Sequence, residues 1–286
     1  MNYLLHPEIF EQTPVVGPVL RSALGARIND VLADTSFFEQ PPLSVLIRSR
    51  NEATNIEQLI EEIHQQDYPS EVEVVLVDTE SRDGTRQQAK RLGATITSIT
   101  QDEFNYPLSL NRGLEAASYE NVFMTVGHAN FSNTLALRSM MRHLGHTGDE
   151  VAGAYGTVLP GRNASWVERY LGVAVVVHMG QASKIDKAIQ GGFGATGAAI
   201  KRTVWEEVGG FDEAYAAGGE DGAMARTMMA KGYEIVREPV LSMHHSHGLG
   251  PINKLHEQVH WSKVSKPLSL DKKKLAKHRP DLKLED

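Results

Sequence analysis

Five groups of polar residues in this chain have the types and positions to do chemistry. Arg48, Asn51 and Glu52 follow at once on Leu43, Ser44, Val45, Leu46, Ile47, and Asp78 and Glu80 follow on Glu73, Val74, Val75, Leu76, Val77. A carboxylate at a strand end is a rigidly placed acceptor, able to take a ring N–H of a bound base; the same Asp also suits a turn, since Asx side chains favour turns. Glu220 and Asp221 follow a Gly-Gly pair at the start of a helical pattern, where the helix N-terminus stabilises negative charge. Such a pair serves as an acidic cap or as a general base. His128 and Asn130 end another apolar run, and His244, His245 and His247 cluster at the end of a later one. Imidazole ligates metal, contacts phosphate as imidazolium, or satisfies a structural hydrogen bond.

Near-continuous runs of Val, Leu and Ile mark strands covered on both faces, and in an open parallel sheet the ligand crevice lies outside the strands' carboxyl ends. The charged clusters therefore fall at the binding edge. Between the first two runs, Glu52–Gln66 carries Ile56, Leu59, Ile60 and Ile63 at helical spacing, with Asn51 or Thr54 available as cap. A helix is predicted over Thr85–Leu92 with Gly93 closing it, then a strand over Ala94–Ile99, a helix from Phe104 to about Ser118 and a fourth strand at Asn121–Val126. Further on come helix Leu135–Leu144, strand Val151–Leu159, mixed signals over Trp166–Val177 and a glycine-rich loop at Gly191–Gly197. Strand Ala198–Ile200, helix Thr203–Val208, helix Ala223–Lys231 and two short strands, Ile235–Val236 and Pro239–Met243, complete the order. Strands joined by helices make this an α/β chain with a doubly wound, mostly parallel sheet.

The organisation expected is a helical extension over 1–40, with Leu20, Leu24, Ile28 and Leu32 on one face, a main domain over 41–250 and a lysine-rich tail over 251–286. Trp205 and Phe211 read as core aromatics. At 286 residues the chain can bury a sizeable core. A net charge of −7 argues against a nucleic-acid binder with a broad basic surface. With no cysteine, disulfides, thiolate metal sites and thiol nucleophiles are excluded. No run approaches the ~18 apolar residues of a membrane span, and no signal peptide is evident, which points to a cytoplasmic protein.

The order of motifs resembles the GT-A fold glycosyltransferases of family 2, which are inverting nucleotide-sugar enzymes. Four pieces carry the resemblance: Ser-Val-Leu-Ile-Arg-Ser-Arg-Asn-Glu at 44–52, Val-Asp-Thr-Glu-Ser-Arg-Asp-Gly-Thr at 77–85, Val-Gly-Gly-Phe-Asp-Glu at 208–213, and Glu220-Asp221. It covers roughly residues 43–247, and the segments at 104–113, 128–129 and 151–156 look like the rhamnosyltransferase-like branch.

The resemblance implies a GT-A fold with a nucleotide-binding half at 41–130 and an acceptor and catalytic half at 131–250. It implies transfer of a sugar from a nucleoside diphosphate donor to a hydroxyl of a glycan, a lipid-linked saccharide or a small molecule. Asp78 would hold the base, with Arg48, Asn51, Glu52 and Glu80 lining the nucleotide pocket. Asp221 would be the general base with Glu220 beside it, and His128, Asn130, Gly192 and Phe193 would meet the diphosphate and donor sugar. Family members hold Mg²⁺ or Mn²⁺ with an Asp-x-Asp pair at the end of the fourth strand. Here that position reads His128-Ala129-Asn130, without a carboxylate, which makes His128 and His247 the metal candidates. The lysine-rich tail suits peripheral contact with the inner face of a membrane, and a dimer is compatible with everything above. Two other functions are consistent with parts of this pattern. A non-catalytic sugar-nucleotide-binding protein would lack the acidic pair, and a nucleotidyltransferase would carry glycines where Arg48–Glu52 has none.

Overall fold

The computed structural model describes residues 3–13, 16–36, 38–146, 150–171, 180, 182–185, 193–215 and 218–264. Its sheet has the order β3-β2-β1-β4-β8-β6-β9-β5, where β1 is Leu43–Ser49, β2 Val72–Thr79, β3 Thr95–Ile99, β4 Asn121–Val126, β5 Asn130–Phe131, β6 Val151–Leu159, β8 Ala198–Lys201 and β9 Glu234–His244. A short β7, Ser183–Lys184, pairs with β9. β1 to β4 are mutually parallel where they pair, whereas β8 runs antiparallel to both β4 and β6. The chain steps outward from β1 to β3 and then returns to place β4 on the other side of β1. Strand order therefore reverses between β1 and β4, where an open sheet leaves its crevice.

Side-chain alternation decides what each strand end presents. Leu43, Val45 and Ile47 of β1 join a buried cluster with Ile56, Leu59, Ile60 and Ile63 of α3 (Ile56–His64) and Leu137 and Met140 of α6 (Ala136–Leu144). Leu46 points the other way, into a cluster with Leu110 and Leu114 of α5 (Tyr106–Ala116), Trp205 of α8 (Arg202–Val208) and Met224 and Met228 of α9 (Glu220–Ala230). Fully burying each such side chain contributes about 1.5–3 kcal/mol, so both faces are firmly held. Arg48, two residues past Leu46, faces the α5 and α9 side.

The amino-terminal helices α1 (Pro7–Glu11) and α2 (Val16–Ala33) pack on the main domain, burying Phe10, Leu20, Leu24 and Ile28 against Leu135, Leu159 and Val240. Val31 rather than Leu32 completes the stripe, with Leu32 37% exposed. A four-residue step overshoots the helical turn by about 40°, and three steps carry Leu32 off the face.

Two other expectations change. The cap of α3 is Asn55 rather than Asn51 or Thr54; its side chain makes no cap hydrogen bond and donates to Glu52 Oε2 (2.9 Å), while Asn51 Oδ1 accepts from the Arg82 N–H. The two strands expected at 235–243 are one, β9, with Pro239 in a bulge where pairing to β6 jumps from Tyr155–Arg237 to Thr157–Ser242. A bulge is where a strand tolerates a residue with no N–H. β6 approaches β9 so closely that a Cβ on Gly156 would fall 1.2 Å from the Leu241 carbonyl oxygen. Part of the mixed segment forms α7 (Trp166–Leu171), and 172–177, Gly191, Gly192 and 265–286 lie outside the described residues. No helix among the described residues is long and apolar enough to cross a membrane.

Candidate active site

Two adjoining cavities, of about 500 and 380 Å³, lie at the β1–β4 reversal and share Arg48, Tyr106, Val126 and His128. The smaller runs over Ser49, Arg50 and Thr79 to Gln101 and Phe104, and the larger reaches Glu220, Asp221, His245 and His247.

Each polar group arrives on a defined element. The turn after β1 is tied to the turn after β2: Asn51 N–H donates to Ser81 Oγ (2.8 Å), and Arg82 N–H donates to Asn51 Oδ1 (2.9 Å). Asn51 and Glu80 have positive φ, 55° and 48°, and Glu80 accepts from the Gln101 N–H at 2.9 Å. These two residues shape the loops with their side chains, and neither lines either of these two cavities. Asp78 shares the face of Val74 and Leu76, toward α4 (Thr85–Arg91), and is fully buried. Its Oδ2 accepts from the Ser81 N–H at 3.0 Å and lies 3.5 Å from Arg86 Nε, while Oδ1 has no protein partner. The turn role open to Asp78 in the sequence is thus present in the structure.

Glu220 and Asp221 open α9 behind Gly219, whose φ of 94° suits glycine. Burial raises the Asp221 carboxyl to about 7, and the neighbouring Glu220 charge adds to the rise, while Arg48 and the Ala195 N–H oppose it. Glu220 is raised too, again by burial, with Arg48 pulling it down. Asp221 Oδ2 accepts from Ala195 N–H at 3.4 Å. Arg48 has Nε and Nη1 buried without a hydrogen-bond partner, and its guanidinium stands 5.4 Å from the Tyr106 ring centroid. A carboxylate poised near neutrality beside a buried guanidinium is suited to proton abstraction next to developing negative charge.

His128 Nδ1 donates to Glu52 Oε1 at 2.7 Å, and its Nε2 lies 3.0 Å from His245 Nε2. His128, His245 and His247 each present one ring nitrogen within 4.8 Å of those of the other two. Burial, reinforced by the His128 and His247 charges, lowers His245 to about 3, and burial lowers His247 as well. Among the four histidines singled out in the sequence, His244 faces away: it is buried, Nδ1 donates to the Pro160 carbonyl (2.8 Å), and the ring meets Phe10 edge-on at 5.3 Å.

Two residues expected near the donor sugar are elsewhere. Asn130 lies on β5 and donates to the buried Glu62 Oε1 at 3.0 Å, because pairing with His244 of β9 turns it from the cleft. Phe193 is fully buried in the α5–α9 cluster with a φ of 87°, and its neighbours Ala195 and Thr196 line the cavity instead. Gly192 lies outside the described residues.

Tyr106, His245 and Arg226 also line the larger cavity, and Tyr106 and Arg226 had no role in the sequence reading. A signal for Tyr106 was present: Asn105 caps α5 by accepting from Leu108 N–H (2.7 Å), so Asn-Tyr-Pro fixes the ring at the helix start. Asn111 of α5 holds the 209–213 turn ahead of α9. Its Oδ1 accepts from Trp205 Nε1 (3.0 Å) and Phe211 N–H (2.8 Å), and its Nδ2 donates to the Phe211 carbonyl (2.9 Å). This bears out Trp205 and Phe211 as core residues.

Against known proteins, the model for glycosyl transferase family 2 matches residues 44–206. The chain belongs to glycosyl transferase family 2. It is 29% identical over 187 residues to the O-antigen chain rhamnosyltransferase WbaN of Salmonella anatum, an alignment covering 63% of this chain and 58% of the relative's length. Two solved structures share the fold. One is the mannosyltransferase PcManGT from Pyrobaculum calidifontis in complex with GDP-Man and Mn²⁺, at TM-score 0.56 and 21% identity, covering 98% of this chain and 78% of that one. The other is S. aureus TarS 1-349 in complex with UDP, at TM-score 0.54 and 17% identity, covering 84% and 72%. The fold is therefore GT-A, as the motif order implied. In this family 2 glycosyltransferase, the switch-point crevice between β1 and β4 is lined at one end by Thr79 and Phe104 and at the other by the α9 carboxylates.

Proposed function

We propose that this glycosyltransferase moves a sugar from a nucleoside diphosphate donor to an acceptor hydroxyl with inversion. The observation that carries the reading is the Arg48, Glu220 and Asp221 constellation in the larger cavity. In this reading the nucleotide occupies the smaller cavity, beside Thr79, Phe104 and Tyr106, and the sugar and acceptor occupy the larger. The acceptor oxygen attacks the anomeric carbon, the bond from that carbon to the diphosphate oxygen breaks, and the hydroxyl proton passes to Asp221. The nucleoside diphosphate leaves with the bonding pair, its charge met by Arg48. One displacement inverts the anomeric centre, so no covalent glycosyl-enzyme forms.

A panel of nucleoside diphosphate sugars tests donor recognition. A binding donor at a hundred times its Kd should raise the melting temperature by about 5 °C. Asp78 lines neither cavity, and it stays the base acceptor in this reading because its buried Oδ1 has no protein partner beside Thr79, which lines the smaller one. Asp78→Asn should therefore raise the donor Kd about tenfold or more, since an amide retains an oxygen for Ser81 N–H but alters the group offered to the base. An unchanged donor-induced increment, with only the ligand-free melting temperature lowered, would leave Asp78 as a turn residue alone. Proton NMR of the product settles the stereochemistry, and a retained anomer sinks the single-displacement mechanism. The non-catalytic alternative predicts donor binding with no transfer to any acceptor.

In this reading the acceptor sits at a membrane surface. α7 and α10 (Pro251–Val264) pack together and expose Trp166, Tyr170, Ile252 and Leu255, next to the backbone that carries His247. The sequence that follows, with Lys266, Lys272, Lys273, Lys274 and Lys277, adds positive charge. Aromatic and aliphatic side chains beside a basic stretch suit an anionic bilayer. The full chain should co-sediment with phosphatidylserine vesicles and not with phosphatidylcholine ones, and Trp166→Ser with Ile252→Ser should weaken this. Equal behaviour with both vesicle types would remove the bilayer from the reading.

A further inference from the structure

We propose that His128, His245 and His247 form a three-imidazole site for a divalent cation of the Co²⁺, Ni²⁺ and Zn²⁺ class that discriminates against Mg²⁺, with Glu52 as its positioning residue. The inference deepens the transferase reading by naming the ion beside the donor, and its geometry stands apart from that reading.

The ring centroids lie 4.9, 5.5 and 4.6 Å apart, and one ring nitrogen from each histidine lies within 4.8 Å of the other two. Two nitrogens bound to one ion at about 2.0–2.1 Å, with angles of roughly 90–110°, sit about 2.9–3.4 Å apart. The His128 Nε2 to His245 Nε2 separation of 3.0 Å meets this. Glu52 accepts from His128 Nδ1, which leaves Nε2 as the ligand atom, the arrangement that orients metal-bound histidines. Without an ion, one of the two facing Nε2 atoms must donate to the other; ion uptake needs both lone pairs, so the donating ring, His245, carries its proton on Nδ1 in the ion-bound form. The backbone supports the set: His245 N–H donates to the Leu159 carbonyl (2.9 Å), and His247 N–H donates to Glu168 Oε1 (3.1 Å).

The donor set decides the ion. Mg²⁺ asks for hard oxygen ligands in near-ideal octahedral geometry, whereas imidazole suits the later first-row ions. Among the described residues no carboxylate joins the three-histidine group, and Glu257 Oε1 stands 3.9 Å from His247 Nε2.

The test is titration of the EDTA-stripped full chain with CoCl₂, ZnCl₂ and MgCl₂ by calorimetry, with the visible absorption of bound Co²⁺ as a second readout. We expect one Co²⁺ or Zn²⁺ per chain, bound at least about a hundredfold more tightly than Mg²⁺. His128→Ala and His247→Ala should each weaken Co²⁺ binding and shift its absorption, and Glu52→Gln should weaken it about tenfold. His64→Ala, an exposed position on α3, is the control, and circular dichroism confirms that each variant folds. Co²⁺ binding that survives His128→Ala and His247→Ala together, or Mg²⁺ affinity equal to that of Co²⁺, overturns the site. Transfer activity in EDTA with no Co²⁺ binding overturns the site and keeps the transferase. Histidine-dependent Co²⁺ binding with no turnover of any donor keeps the site and overturns the transferase.

Discussion

Asp221→Asn is expected to lower kcat by about 10²–10⁴-fold while donor binding persists, because the amide keeps the volume and the contact to Ala195 N–H but cannot take a proton. In the wild type the rate should climb with pH through about 7, where the buried carboxyl ionises. The same group acts on stability with the opposite sign. An unfolded Asp loses its proton near pH 3.9, whereas folded Asp221 keeps it to about 7. Between those values the folded state binds more protons, so raising the pH lowers stability across that window. Asp221→Asn lacks this effect, and its melting temperature relative to wild type should rise from pH 5 to pH 8. Calorimetry at the two pH values and steady-state kinetics check both halves. A variant with full kcat would remove Asp221 from the chemistry, and a constant difference in melting temperature would show that the carboxyl is ionised at both pH values.

Arg48→Met carries the second large effect, a fall in kcat/KM of about 10²–10³-fold. Arg48 lines both cavities and is the cation that restrains the rise at Glu220 and Asp221. Its removal should shift the ascending limb of the rate profile to higher pH, because the two carboxylates lose that opposing charge. Arg48→Lys should return the limb toward its wild-type position more fully than it returns the rate, since an ammonium restores the charge but not the planar fork. A limb that stays in place in Arg48→Met would show that the guanidinium does not tune the base.

The residues legible in the sequence are those whose position follows from where a strand or helix ends. Arg48 at the end of β1, His128 after β4 and the acidic pair opening α9 need only local periodicity to be placed, and the structure gathers them at one crevice. Asn130 and Phe193 fail for a non-local reason. Asn130 is turned by pairing with a strand more than a hundred residues away, and Phe193 is drawn into the core against Gly153, where a Cβ would fall 2.6 Å from its ring. Neither partner is visible from spacing along the chain. The continuity of β9 through Pro239 was hidden in the same way, because the bulge that accommodates it depends on where β6 lies.

That bulge makes the parity of one strand pairing a functional quantity. Successive side chains along an extended segment alternate sides, so at the end of β9 His244 faces Phe10 and Pro160 while His245 faces His128. The jump from Tyr155–Arg237 to Thr157–Ser242 sets which of the two looks into the cleft. Deleting a single residue from 238–241 would exchange them, sending a histidine into the apolar packing of the amino-terminal helices and taking one from the crevice. Loop-length variation is tolerated in many surface turns; here the count of residues in the bulge is as constrained as their identity.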